Sequence, residues 1–346
     1  MLSRSDAIHH LLRLGLLTPE QLLDGPVSVS EFTGRNHLVR IERPGERCFT
    51  VKQPRDADTP DAVTMWTEAA IFWLSANDPE FARLARWMPL YFHYHEPDKV
   101  LTIEYVTAAD TLMAKLIGGT VPPHLLEEVG RAFATLHGPV SRASAAQPSR
   151  RLFGAVLPWV LTLGTPEVRY APPTQIAAAV LSEVMRQPDA LAAFAQARAD
   201  WTMDHIVHGD AKAANILILD DGSVRVIDWE IAALGDGLWD LAGLVHSLLV
   251  PNPLAPTEPL AAVQARAAPW FEALCRGYGE GGLTVRPGRD WRRTTLRLAG
   301  ARLIQTCLES AHYAGQMPSA VPSMLQIALE LMVHPEASAG RWRWAA

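Results

Sequence analysis

The stretch His208-Gly209-Asp210-Ala211-Lys212-Ala213-Ala214-Asn215 decides how this chain is read, together with Val226-Ile227-Asp228-Trp229-Glu230 just beyond it. Asp210 and Asn215 bracket a short loop that ends at a strand. Asp228 closes the next strand, across Asp220-Asp221-Gly222, a tight-turn signature. A hairpin of that length brings Asn215 and Asp228 to a common end. An amide oxygen and a carboxylate there are hard oxygen donors suited to Mg²⁺. A second carboxylate, Asp210, suits the removal of a proton from a hydroxyl that attacks a metal-bound phosphate. Lys212 is a point charge able to reach a phosphoryl oxygen. A single aspartate in a loop is most often a turn or capping residue; the joint pattern carries the chemistry.

Outward from this island the chain divides into a β-rich first third and a helical remainder. Upstream, Thr18-Pro19-Glu20-Gln21 reads as a capping box with proline at the first helical position, after a first helix marked by Ile8, Leu11, Leu12 and Leu16 at helical spacing. Short alternating runs follow between Val27 and Gln53, then a helix over 60–76, then strands at 90–95 and 100–106. Helices are predicted at 110–118, 123–137, 174–197, 237–249, 259–278, 290–315 and 321–333. The stretches 141–150 and 251–259 read as loops, and the tail 340–346 as loosely held. This gives a helical extension over 1–26, a β-rich N-lobe over 27–106 and a helical C-lobe over 107–346. A site between two unequal lobes is expected.

The 346 residues suffice for two lobes with a real core. The net charge of −6 gives no general pull toward nucleic acid. No apolar run reaches the roughly 18 residues of a membrane span, and the N-terminus lacks the features of a signal peptide. Cys48, Cys275 and Cys307 lie far apart with no C-x-x-C pair, which points to a reducing, cytoplasmic setting.

With these residues in place the chain resembles the aminoglycoside phosphotransferase and choline kinase-like family, a branch of the protein-kinase-like fold. Gly235-Asp236-Gly237-Leu238-Trp239-Asp240-Leu241-Ala242 looks like the family's G-D-P-x-x-D-L-A stretch, with Gly237 in place of proline. Val129–His137 is similar to the helix ending in L-H that precedes the catalytic loop. The resemblance implies an α+β, two-lobed fold and an ATP- and Mg²⁺-dependent kinase. In that reading Lys52 holds the nucleotide phosphates and Glu68 orients it. Backbone groups of Glu104 and Val106 bind adenine, and Gly34 belongs to a phosphate-covering loop with one glycine where protein kinases have three. Asn215 and Asp228 hold Mg²⁺, Asp210 is the base and Lys212 steadies the transferred group. His208 supports the loop, while Asp236 and Asp240 cap and brace the following helix.

The acceptor implied is a hydroxyl of a small molecule or of a peptide Ser/Thr, the latter with a partner protein in a biosynthetic pathway. Segment 140–200 carries arginines at 142, 150, 151, 169, 186 and 198 against few carboxylates, which disfavours a polycationic antibiotic. The alternative is a pseudokinase that binds a nucleotide or peptide as a scaffold. Its support is the thin glycine loop, and the intact Lys52, Asp210, Asn215 and Asp228 stand against it.

Overall fold

The computed structural model describes residues 2–34, 36–56, 60–107, 109–119, 121–138, 151–168, 170–255, 258, 260–280 and 289–341. The loop expected at 141–150 therefore lies outside the described residues, as do parts of 251–259 and of the tail. The chain forms two compact units: residues 1–110 with 217–232, and residues 111–216 with 233–346.

The first unit opens with helices α1 (Arg4–Arg13) and α2 (Pro19–Leu23), each started by a capping box, Ser3 with Asp6 and Thr18 with Gln21. Strands β1 (Ser28–Thr33), β2 (Asn36–Glu42) and β3 (Phe49–Pro54) follow, then helix α3 (Pro60–Asn77) and strands β4 (Tyr91–His95), β5 (Val100–Glu104) and β6 (Ala109–Thr111). The five-stranded sheet has the order β1-β2-β3-β5-β4 and is antiparallel throughout. Strict alternation along β2 puts Val39 and Ile41 on one face, with Phe49 and Val51 beside them. Ala7, Leu11 and Leu17 of the N-terminal segment complete that apolar layer. The N-terminal segment from Leu2 to Leu22 thus covers one sheet face, and Lys52, next to Val51 on β3, belongs to the other.

The second unit carries α4 (Leu112–Ile117), α5 (Pro123–His137), α6 (Gln175–Met185) and α7 (Pro188–Ala199). The single helix predicted over 174–197 is two, because Pro188 cannot continue a helix and instead occupies the first turn of α7. Strand β7 (His205–Val207) leads into the loop 208–215. The hairpin β8 (Ile216–Leu219) and β9 (Val224–Val226), which from Leu217 onward belongs to the first unit, turns through Asp220-Asp221-Gly222, as its sequence predicts. Strand β10 (Ala233–Gly235), which the sequence reading missed, pairs antiparallel with β7. Helices α8 (Gly237–Leu249), α9 (Leu260–Glu280), α10 (Trp291–His312), α11 (Val321–Val333) and α12 (Pro335–Arg341) complete the unit, with α8 buried along its whole length. Among the described residues no helix is long and apolar enough to cross a membrane.

Helices α5 and α9 cross at a pair of glycines. A Cβ on Gly277 would lie 2.0 Å from the Glu127 carbonyl oxygen, and one on Gly130 would lie 2.3 Å from that of Leu274. Alanine normally favours a helix over glycine by about 1 kcal/mol. Here the obstacle is backbone, so overpacking of about 1–3 kcal/mol wins. Gly277→Ala is expected to lower the thermal unfolding midpoint, and an equal or higher midpoint would contradict this packing.

In the first unit, His10 on α1 is buried and its Nε2 meets Thr102 Oγ1 at 3.0 Å. Burial, then Arg13, His93 and His95, push its pKa down from 6.5 to about 4, with Asp98 opposing. The unfolded chain therefore takes up this proton first as pH falls below 6.5. The stability contributed by neutral His10 is present above that pH and lost toward pH 4. Thermal melts from pH 7 to pH 4 should show a shallower loss for His10→Gln than for the unsubstituted protein. Parallel curves would refute the assignment.

Candidate active site

In the first unit, β3 and α3 bring Lys52 and Glu68 together. Lys52 Nζ donates to Glu68 Oε1 at 2.7 Å, with the glutamate side chain fully buried and the lysine 13% exposed. Burial opposes the lysine's charge, yet Glu68, Asp228 and Glu230 hold its pKa above the ordinary value. Burial raises Glu68, and the attraction of Lys52 offsets only part of that. A lysine kept charged within a field of three carboxylates is a fixed cation on a buried sheet face.

Asp228 follows β9 with φ of 69°, in the left-handed region that aspartate visits more readily than most residues. Backbone held there is a recurrent feature of functional sites. Asn36, at the start of β2, donates from Nδ2 to Glu230 Oε2 at 2.9 Å. This ties the β1–β2 turn to the segment bearing Asp228. Glu230 had no role in the sequence reading, because only the tertiary fold joins positions 36 and 230. Gly34 is exposed in that turn, and its N–H donates to the Asn36 carbonyl at 3.1 Å. The Glu104 N–H is already spent on the Leu90 carbonyl at 2.8 Å, which limits any backbone recognition there to its carbonyl. Val106 is half-buried just beyond β5.

In the second unit the loop after β7 is held from below by Asp240. One carboxylate accepts from the His208 N–H at 2.6 Å, from the Gly209 N–H at 2.9 Å and from His137 Nε2 at 3.0 Å. His137 Nδ1 in turn meets the Tyr278 hydroxyl at 2.9 Å. The expectation that Asp240 braces its own helix is thus corrected: it is buried on α8 but clamps the preceding loop. Asp236 does cap α8, accepting from the Leu238 N–H at 3.1 Å, and also pairs with Arg289 at 2.5 Å. His208 supports the loop as expected, its Nδ1 accepting from the Asp210 N–H at 3.3 Å.

Three groups converge on the Asp210 carboxylate. Lys212 Nζ lies 2.5 Å from Oδ2, Arg302 Nη2 lies 3.2 Å from Oδ1, and Asn215 Nδ2 lies 3.4 Å from Oδ2. Asn215 Nδ2 also donates to the Asp210 carbonyl at 3.0 Å, which leaves the Asn215 side-chain oxygen as its acceptor atom. Burial pushes Asp210 up, but Arg302, Lys212 and His208 together hold it below the usual carboxylate range. Arg302, on α10 some 90 residues further along the chain, lies outside every motif, and no sequence signal marked it.

Among the described residues no group of three His, Cys, Asp or Glu side chains is arranged to hold a metal ion alone. An amide oxygen and a carboxylate completed by phosphate oxygens is the donor set that Mg²⁺ accepts. Asn215 and Asp228 fit that requirement in chemistry.

These features belong to a phosphotransferase with a protein-kinase-like fold. A model of the phosphotransferase enzyme family matches residues 30–294, and the chain belongs to that family. Its fold is shared by a choline/ethanolamine kinase family protein from Mesorhizobium loti, which is 18% identical and aligns over 99% of this chain and 100% of its own, with a TM-score of 0.57. The choline kinase LicA from Streptococcus pneumoniae is 15% identical over 95% of this chain and 99% of its own, with a TM-score of 0.52. The amicoumacin kinase hAmiN, solved with AMP-PNP and Ca²⁺, is 13% identical over 95% of this chain and 94% of its own, with a TM-score of 0.56. No curated protein matches the chain. The α+β, two-lobed kinase-like fold expected from the sequence is therefore the fold of this protein.

The Lys52–Glu68 pair yields a direct test. Removing one partner of a buried ion pair costs about 3–5 kcal/mol because the other charge is left uncompensated, whereas replacing both by apolar groups costs far less. Chemical denaturation should show Lys52→Met and Glu68→Leu each destabilising, with the double variant more stable than the sum of the two losses implies. Strict additivity would show that the pair does not couple.

Proposed function

We propose that the protein transfers the γ-phosphate of ATP to a hydroxyl of a small molecule, with Mg²⁺ as the accompanying ion. The carrying observation is Asp210: a carboxylate on a loop pinned by Asp240, held ionised by adjacent cations, with Lys212 and Asn215 against it. ATP as donor is further supported by the nucleotide analogue bound in the related amicoumacin kinase fold.

In this reading Lys52, oriented by Glu68, binds phosphate oxygens, and Glu104 and Val106 offer backbone groups to the base. Asn215 and Asp228 hold Mg²⁺, which when bound neutralises phosphate charge. Asp210 orients the acceptor hydroxyl and takes its proton late, so its depressed pKa is no obstacle. Lys212 is within reach of both Asp210 and an arriving phosphoryl group. Most of the rate gain then comes from positioning and charge neutralisation.

The acceptor we infer is an uncharged or anionic hydroxyl compound. Lys212 and Arg302 flank Asp210 with two positive charges, and nearby His246 contributes no charge. Burial, followed by Arg302, pushes that histidine down to about 3 and keeps it neutral. Polycationic acceptors favour an acidic site, the opposite of this arrangement. The cysteines are free and buried, which suits a cytoplasmic protein.

Asp210→Asn is expected to fold, to keep its affinity for ATP with Mg²⁺ in calorimetry, and to lose phosphoryl transfer by about 100- to 10,000-fold. Asp228→Ala should lose the Mg²⁺ dependence of nucleotide binding. Unchanged biological output from Asp210→Asn would favour a scaffold, and unchanged Mg²⁺-ATP affinity in folded Asp228→Ala would remove the metal assignment.

A further inference from the structure

Arg302 touches the Asp210 loop at two points and the Trp239 ring of α8 at a third. Its side chain is 9% exposed, with Nη2 at 3.2 Å from Asp210 Oδ1 and Nη1 at 3.3 Å from the Gly209 carbonyl. The guanidinium carbon sits over the Trp239 ring at 4.9 Å, and the Trp239 indole N–H donates to the same Gly209 carbonyl at 3.1 Å. Helix α8 can approach this closely because residue 243 is glycine. A Cβ there would meet the Ala211 carbonyl at 2.0 Å and Arg302 Nη2 at 3.2 Å. Arginine suits this place and lysine does not: a planar fork serves two acceptors while stacking on an aromatic face.

The two carboxylate oxygens of Asp210 are therefore unequal. Oδ1 is taken by a buried cation anchored on α10, while Oδ2 faces the more exposed Lys212 and the Asn215 amide. We propose that Arg302 is a positioning residue for phosphoryl transfer, holding Oδ1 of Asp210 so that Oδ2 is the oxygen that receives the acceptor's proton. The inference rests on the phosphotransferase reading above. In the step it serves, the acceptor O–H bond breaks as its oxygen bonds the γ-phosphorus. The bond from that phosphorus to the ADP oxygen breaks, and the proton goes to Oδ2. Arg302 neither gives nor takes a proton; it fixes which oxygen is presented and keeps the carboxylate from rotating. A misplacement of about 1 Å at a reacting group can cost about 100-fold.

The test uses the full chain with MgATP and water as phosphate acceptor, ADP release being the readout and calorimetry counting nucleotide-binding sites. Arg302→Met, which keeps the apolar stem, is expected to lose about 10- to 100-fold in kcat per binding site, with KM for MgATP unchanged. Arg302→Lys should recover part of that loss, since it restores the charge without the fork. A merely structural role would lower the number of competent sites and the melting temperature, not kcat per site. Wild-type kcat per site in folded Arg302→Met overturns the proposal. If that variant does not fold, Arg302→Lys decides, and full kcat there overturns it. Equal ADP release by the unsubstituted protein and Asp210→Asn would instead overturn the phosphotransferase reading itself.

Discussion

A single buried carboxylate, Asp240, sets the geometry on which the rest of the second unit depends. Burying a charge is costly unless it is answered by hydrogen bonds. Asp240 is answered by the backbone N–H groups of His208 and Gly209 and by the His137 ring. Charge-assisted bonds of this kind are about twice as strong as neutral ones. They fix the backbone immediately before Asp210, and a fixed backbone gives that carboxylate one orientation to offer. The His137–Tyr278 contact extends the same network from α5 to α9, so the helix crossing at Gly130 and Gly277 supports the loop from a distance. Removing Asp240 would leave the buried His208 amide without its acceptor, a penalty of about 1–3 kcal/mol, and free the half-buried Gly209 amide as well.

The first unit solves a related problem differently. A lysine on a central strand can be held charged only if carboxylates outweigh its desolvation, and Glu68, Asp228 and Glu230 do so. The five-stranded sheet can devote one face to this polar group because the other is sealed by α1 and the segment through Leu17. The N-terminal helices are thus part of the sheet's core.

Local chemistry was legible in the sequence wherever a few neighbouring residues determine it. Capping boxes, the Asp220-Asp221-Gly222 turn and the joint spacing of Asp210, Asn215 and Asp228 all lie within short windows, and the family pattern follows from them. Long-range partners were not legible. Nothing local in α10 distinguishes Arg302 from the neighbouring arginines at 292, 293 and 297. The Asn36–Glu230 contact joins residues 194 positions apart. Asp240 was read as a helix brace because an aspartate in a first helical turn usually acts on its own helix. Here the fold places its carboxylate against another segment. Strand β10 is three residues long, too short for alternation to register, and exists because β7 offers it a partner.

The central claim is that this arrangement transfers phosphate to a hydroxyl. The most direct measurement is incubation of the protein with Mg²⁺ and γ-labelled ATP against a panel of small cationic, neutral and anionic hydroxyl compounds and Ser/Thr peptides, followed by separation of the labelled products. The account expects label in a neutral or anionic small molecule, formed only with Mg²⁺. Label found only in ATP and inorganic phosphate across a panel that the protein binds would contradict it.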